Sequence, residues 1–420
     1  MGRTVKGRRK DYDPRPIQRI ELSDENKKQR AIAAVLFLII GVALLVYCFV
    51  VFITPDPGWT VIETTIAETS GSDFVFRYYL GADGADVNAE NRAVTALYNQ
   101  TAGTIYRLLH ESESYEGFVN IYDINQRVNT ETEVDEALYN VFKAFVDSGS
   151  RYLYIAPIYS RYDDVFFCAD DVMLVDFDPL ISDEVRKEYE AVARYINDPK
   201  MIDLKLLGDN KIKLFVSDEY LSYAEKEGIT DFIGMSWLKN AFQIDYIADQ
   251  MVKNGFTHGS ISTVDGFIRN FDSGSEYYAL SIFDKNSHGV YLAASMLYKG
   301  QRSIVNMKSF PLNEAELPRY YTLKNGEIRT PYVDVEDGIP KCSIPALTAY
   351  SSEKGCGELL LKVTDIYISE DFDAEKLSEL SKDSIYSVYC RDNYIMYNDS
   401  EIIFNDIYTG EDIRYELKEF

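Results

Sequence analysis

The sequence predicts an α+β domain, large and two-lobed, behind a single membrane-spanning helix. Three observations carry this. An uncharged apolar run lies near the N-terminus. The net negative charge that dominates the composition is carried by the residues beyond that run. Downstream, period-two and period-3.6 segments arrive in blocks instead of alternating strictly, as α+β folds do and βαβ folds do not.

Residues 31–53, AIAAVLFLIIGVALLVYCFVVFI, contain no charge. As a helix this run is roughly 35 Å long, enough to cross a bilayer with some tilt. It is too long for a signal-peptide core and no small-residue cleavage pattern comes after it. Lys and Arg outnumber Asp and Glu by five over residues 1–30, whereas residues 31–420 carry a net −30. The positive-inside rule therefore keeps the N-terminus in the cytosol and places the C-terminal domain outside the cell membrane. The division expected is a basic cytosolic tail (1–30), a transmembrane anchor (31–53), a linker (54–60) and an extracellular domain (61–420). So acidic a body repels nucleic acid.

In chain order, 75–81 reads as a strand and 89–110 as a helix with Val94, Leu97, Ile105 and Leu108 on one face. Residues 117–122 read as extended. Thr132 is the expected cap of a helix closed by Gly149, and 165–177, VFFCADDVMLVDF, reads as a hairpin. Ser182 opens a helix to about Asn197, 211–217 alternates as a half-buried strand, and 236–254 is a helix ended by Gly255. Residues 260–264 form a strand. YYALSIFD and GVYLAASMLY are paired strands, and RSIVNMKSF continues the pattern. The turn PYVDVEDGIP (331–340) is acidic, with Gly338 at the position that wants positive φ. Cys48 falls in the anchor. Cys168, Cys342, Cys356 and Cys390 allow no, one or two disulfides, and no CxxC pair marks a zinc or redox site.

Five segments, in this order, resemble the FAD:protein FMN transferase (ApbE) family over roughly residues 75–400. IYDINQRVN (121–129) resembles the family's "ISRLN" run and keeps Asn129. NAFQID (240–245) is similar to "KGYAVD" and keeps Phe242 and Asp245, with Lys239 one place early and Gly234 near the family's glycine pair. ISTVDGFIR (261–269) stands where the family has "NAGGDIR". YVDVEDGIP keeps Asp334, Gly338 and Pro340 of "HIIDPRTGYP", with Pro331 in place of the histidine. LTAYSSEKGCGELLLKV (347–363) aligns without a gap on "VTVIAPSAMLADALATA".

The resemblance implies a cofactor site for FAD at Asn129, Phe242, Asp245, Asp334 and Gly338. It also implies Mg²⁺ held by carboxylate and hydroxyl oxygens at i and i+4 of one helix, positions filled here by Glu358 and Lys362. Glutamate ligates a hard cation; a protonated lysine does not. That pair admits two readings. One is a surface i, i+4 ion pair. The other is that the Lys362 ammonium replaces the metal, leaving Mg²⁺ lost. The resemblance thus implies a non-catalytic or weakly active relative that binds a flavin, another nucleotide or an extracytoplasmic protein partner. The alternatives are an active flavinylating transferase and a structural surface protein. DGADVN (83–88) resembles a flavin-acceptor segment, but Asp86 stands where the hydroxyl belongs.

Overall fold

The computed structural model describes residues 27–53, 56–64, 74–411 and 413–420. Most of the basic tail and the first linker residues lie outside them. The chain divides into two compact units, Met1–Pro55 and Asp56–Phe420.

In the first unit, helix α1 (Lys27–Ile53) is the one helix among the described residues long and apolar enough to cross a membrane. Its residues 27–48 have a mean hydropathy of 2.9.

The second unit opens on strands β1 (Gly58–Ile62) and β2 (Phe74–Leu80), then helix α2 (Val87–Leu108). Asp86 caps α2 by accepting from the Ala89 amide at 2.7 Å. Helix α3 (Ile121–Asn125), strand β3 (Glu131–Glu133) and helices α4 (Glu136–Ser148), α5 (Ala156–Tyr162) and α6 (Asp183–Ile196) come next. Strands β4 (Ile202–Gly208) and β5 (Lys211–Val216) join β3 in a small sheet. Then come α7 (Asp218–Glu227) and α8 (Lys239–Lys253), β6 (Gly259–Thr263), β7 (Phe267–Asn270), the hairpin β8 (Tyr277–Asn286) and β9 (Gly289–Lys299), and β10 (Arg302–Lys308). After the short pair β11 (Tyr321–Thr322) and β12 (Ile328–Arg329) come β13 (Ala346–Ser351), α9 (Cys356–Tyr367) and α10 (Ala374–Glu379). Strands β14 (Tyr386–Arg391), β15 (Tyr394–Tyr397), β16 (Ile403–Asn405) and β17 (Glu416–Glu419) finish the unit.

Nine strands form one sheet in the order β1-β2-β6-β7-β10-β13-β14-β15-β17, antiparallel except for the β15–β17 pair. Its strands alternate between two cores. Val305, Met307, Leu347 and Ala349 face the larger core with α8 and α9. Ile304, Tyr350 and Val388 face a second core closed by β8 and β9. The result is a helix layer, a central sheet and a smaller sheet: the α+β arrangement the sequence predicts.

Three expectations differ locally. Thr132 lies in β3, and Asp135 caps α4 instead. Residues 117–122 turn into α3, whose Asn120 and Asp123 form a capping box. Residues 165–177 are 3₁₀ turns, not a hairpin. All five cysteines are free thiols.

Candidate functional site

The α8–α9 junction gathers three of the predicted residues. Asp245, on α8, accepts from the Cys356 and Gly357 amides that open α9, both at 2.8 Å. Arg269 Nε stands 3.6 Å from the same carboxylate. A helix N-terminus is a natural seat for a carboxylate. Asp245 sits midway along its own helix, and the dipole it serves is that of α9. The approach needs glycines: a Cβ on Gly355 would sit 2.5 Å from Asp245 Oδ2, and one on Gly357 would sit 2.6 Å from the Phe242 ring. Burial raises the Asp245 carboxyl to about 6, against Arg269 and the two amides. Phe242 is buried and stacks on Phe145 at 5.3 Å.

Between α4 and the α8–α9 pair runs a trough of about 410 Å³ lined by Phe242, Asp245 and Glu358. Its ionisable walls are Asp135, Glu136, Asp245, Asp249 and Glu358 against Lys253. A neighbouring depression shares Asn140, Ala144 and Glu358 and adds Lys143, Asp147 and Lys362. Glu358 pairs with Lys354 at 2.5 Å, one turn before it, and not with Lys362. Lys362 has no ion pair among the described residues. Of these two positions, the carboxylate pairs with an ammonium and the protonated lysine offers no ligand. Among the described residues no three His, Cys, Asp or Glu side chains group as a metal site.

The remaining predicted residues lie apart. Asn129 is outside these clefts. At φ 63° it spends both polar side-chain atoms on the Val216 backbone, at 2.7 and 3.1 Å. Asp334 lines a separate depression with Asp365 and Lys376. The acidic turn carries its own counter-ion: Lys341 Nζ donates to Asp334 at 3.0 Å and to Asp337 at 2.6 Å. Gly338 has φ 76° and its absent Cβ would fall 2.7 Å from the Tyr189 Cβ on α6. Gly338→Ala therefore meets both left-handed strain and overpacking, an expected loss of roughly 2–4 kcal/mol. Denaturant unfolding followed by circular dichroism checks it.

A fourth concavity, about 350 Å³, opens where α8 begins. Its wall is the 231–238 loop, pinned from α3: Asn125 accepts from the Phe232 and Ile233 amides at 3.0 Å and donates to the Ile233 carbonyl at 2.9 Å. Glu111 accepts from the Met235 amide at 3.1 Å and faces Lys239 at 3.7 Å. Ser236 is held at φ 49°, a rare conformation for serine that marks local strain. Trp237 packs edge-on against Tyr332, which begins the acidic turn, at 5.2 Å. Asp265 accepts from Asn240 at 2.8 Å and pairs with Arg319 at 3.3 Å. Three buried polar atoms have no partner: Trp237 Nε1, His110 Nδ1 and Asp265 Oδ1. Burial raises the carboxyls of Glu111, Asp163, Asp231 and Asp265 and lowers His110. The segments that resemble the family thus converge here through Gly234, Lys239, Asn240, Asp265 and Tyr332. Sequence reading missed Glu111, Arg319 and Trp237. Only Trp237, one of two tryptophans, offered a signal.

This architecture is that of the ApbE flavin transferases. The ApbE protein of Thermotoga maritima superposes with a TM-score of 0.53 at 11% identity, over 83% of this chain and 97% of that one. The flavin transferase ApbE of Vibrio cholerae gives 0.51 at 11% identity, over 83% and 97%. At such identity the likeness is one of fold. No protein-family model matches the sequence, and neither does any curated protein.

Proposed function

We propose that the chain is a single-pass membrane protein whose outward-facing ApbE-type unit binds a small ligand and does not carry out metal-assisted transfer of FMN from FAD. One observation carries the reading: where the resemblance puts the metal ligands, Glu358 is held by Lys354 and Lys362 comes one turn on. Phosphoryl-type transfer wants a metal or strong cations on the phosphates as charge develops. The trough beside Glu358 offers carboxylates instead, which repel a pyrophosphate. The uncharged run 31–53 within α1 and its basic flank support the anchor and its direction.

The test is to incubate the full-length protein in detergent micelles with FAD, Mg²⁺ and an ApbE acceptor protein. No FMN-sized mass gain on the acceptor is expected, and Mg²⁺ adds nothing to FAD affinity by calorimetry. A metal-dependent mass gain supports the active transferase instead.

A further inference from the structure

We propose that the exposed face of strands β1 and β2 rests on the lipid headgroup layer of the membrane that α1 crosses, an inference that rests on the anchor reading above. Opposed residues of an antiparallel pair share a face. The register Trp59↔Tyr79 and Val61↔Arg77 therefore puts these four side chains together, and Val75 joins them two places along. Trp59, Val61, Val75 and Tyr79 are 41, 53, 40 and 38% exposed. Their alternates on β2, Phe76, Tyr78 and Leu80, are buried in the larger core. The exposed face continues the one that bears Ile304: Val75 pairs with Ser262, Ser262 with Ile268 and Ile268 with Ile304. Around Ile304 the β8–β9 layer covers the sheet. Toward β1, Tyr278 of β8 reaches the Trp59 ring edge-on at 6.2 Å, and the face stays open.

A bare apolar patch of this kind marks an interaction surface. Chain length points to lipid as its occupant. Trp59 is six residues beyond Ile53, the end of the uncharged run, so the two lie at most roughly 22 Å apart however the outer unit is turned. The polar layer of each leaflet is itself about 5–7 Å thick. The strand that the tether enters thus stays within short reach of the headgroups. Composition points the same way. Indole and phenol rings, apolar in body and polar at the tip, are what the boundary between hydrocarbon and water selects. The one charge among the five residues of the face is that of Arg77, although residues 31–420 carry a net −30. An arginine lays its stem along apolar surface and offers its head to lipid phosphate, where a carboxylate would be repelled.

The test uses the full-length protein in phosphatidylcholine vesicles, with or without bromine near the headgroup end of the acyl chains. Bromine quenches an indole that lies against it. The emission lost from the wild type less that lost from Trp59→Phe isolates Trp59, with buried Trp237 as the common background. Trp59 is expected to lose most of its emission in the brominated vesicles. Ala96→Trp in the Trp59→Phe chain is expected to lose little. Ala96 is exposed on α2, the helix that packs on the other face of the sheet, Tyr98 against Phe76 at 4.9 Å. Val61→Asp and Arg77→Glu, with unchanged melting, each set a carboxylate in the face and are expected to free Trp59 from most of the quenching. Equal quenching at Ala96→Trp, or full quenching in both acidic variants, means that the tether alone brings the ring to lipid and overturns the inference. An unquenched Trp59 overturns it as well, and a dimer in micelles would then assign the face to a second copy. Release of the protein from the vesicles by alkaline carbonate overturns the anchor reading and the inference with it, whereas retention with an unquenched Trp59 overturns the inference alone.

Discussion

Asp178→Ala is expected to destabilise the outer unit by about 3–5 kcal/mol, the usual result of leaving one partner of a buried ion pair alone. Asp178 is fully buried and its Oδ2 accepts from Arg329 Nε at 2.6 Å. Arg329 keeps only Glu327, at 3.1 Å, and that carboxylate is largely exposed. Asp178 Oδ1 also holds the Leu180 amide at 2.9 Å, which the substitution frees. The pair joins the 163–181 segment to β12, and Tyr162 adds a bond to the Thr330 carbonyl at 2.9 Å. Its loss therefore loosens the entry to the acidic turn. Equilibrium urea unfolding reads the effect. The double substitution Asp178→Ala with Arg329→Met is expected to recover part of it, because no lone charge then stays buried. Recovery of nothing would mean that the Leu180 amide, not the ion pair, dominates.

The second large effect is a pH dependence located at Asp245. Burial lifts its folded-state carboxyl from the ordinary 3.8 to about 6. A raised folded value means the native state holds the proton longer than the unfolded chain does. The stabilising contribution is fully present below about pH 4 and is lost as pH rises through 6. Across that window the wild type is expected to lose on the order of 3 kcal/mol relative to Asp245→Asn, which does not titrate. The difference between the two stability curves is the measurement, since the neighbouring buried acids act equally on both. A pH-independent difference would show that Arg269 and the two α9 amides hold the carboxylate ionised throughout.

Much of the fold was legible because packing follows periodicity. The α2 stripe, the Ser182 cap of α6, the Gly149 close of α4 and the β8–β9 pairing are all local patterns that the core simply uses. The 165–177 segment was not legible, because a strand needs an edge to pair with. Here Phe167, Val172, Met173 and Val175 are exposed, and Asp178 is drawn inward by an arginine distant in sequence. The site divides the same way. Phe242, Asp245 and Glu358 share a trough because α8 and α9 pack side by side, which colinear motifs could anticipate. Asn129 and Asp334 are instead spent on a strand and on Lys341, partners no spacing rule names. Glu111 and Arg319 meet α8 only through tertiary packing.

The three bonds from Asn125 have a consequence for access. They staple one rim of the α8 cavity to a helix more than a hundred residues earlier, so that rim cannot swing aside without surrendering all three at once. Any widening of the cavity must then come from the rest of its lining, which includes Asp163 and Arg319 on short 3₁₀ segments. Cross-linking those two segments should shut the door while the stapled side stays as it is.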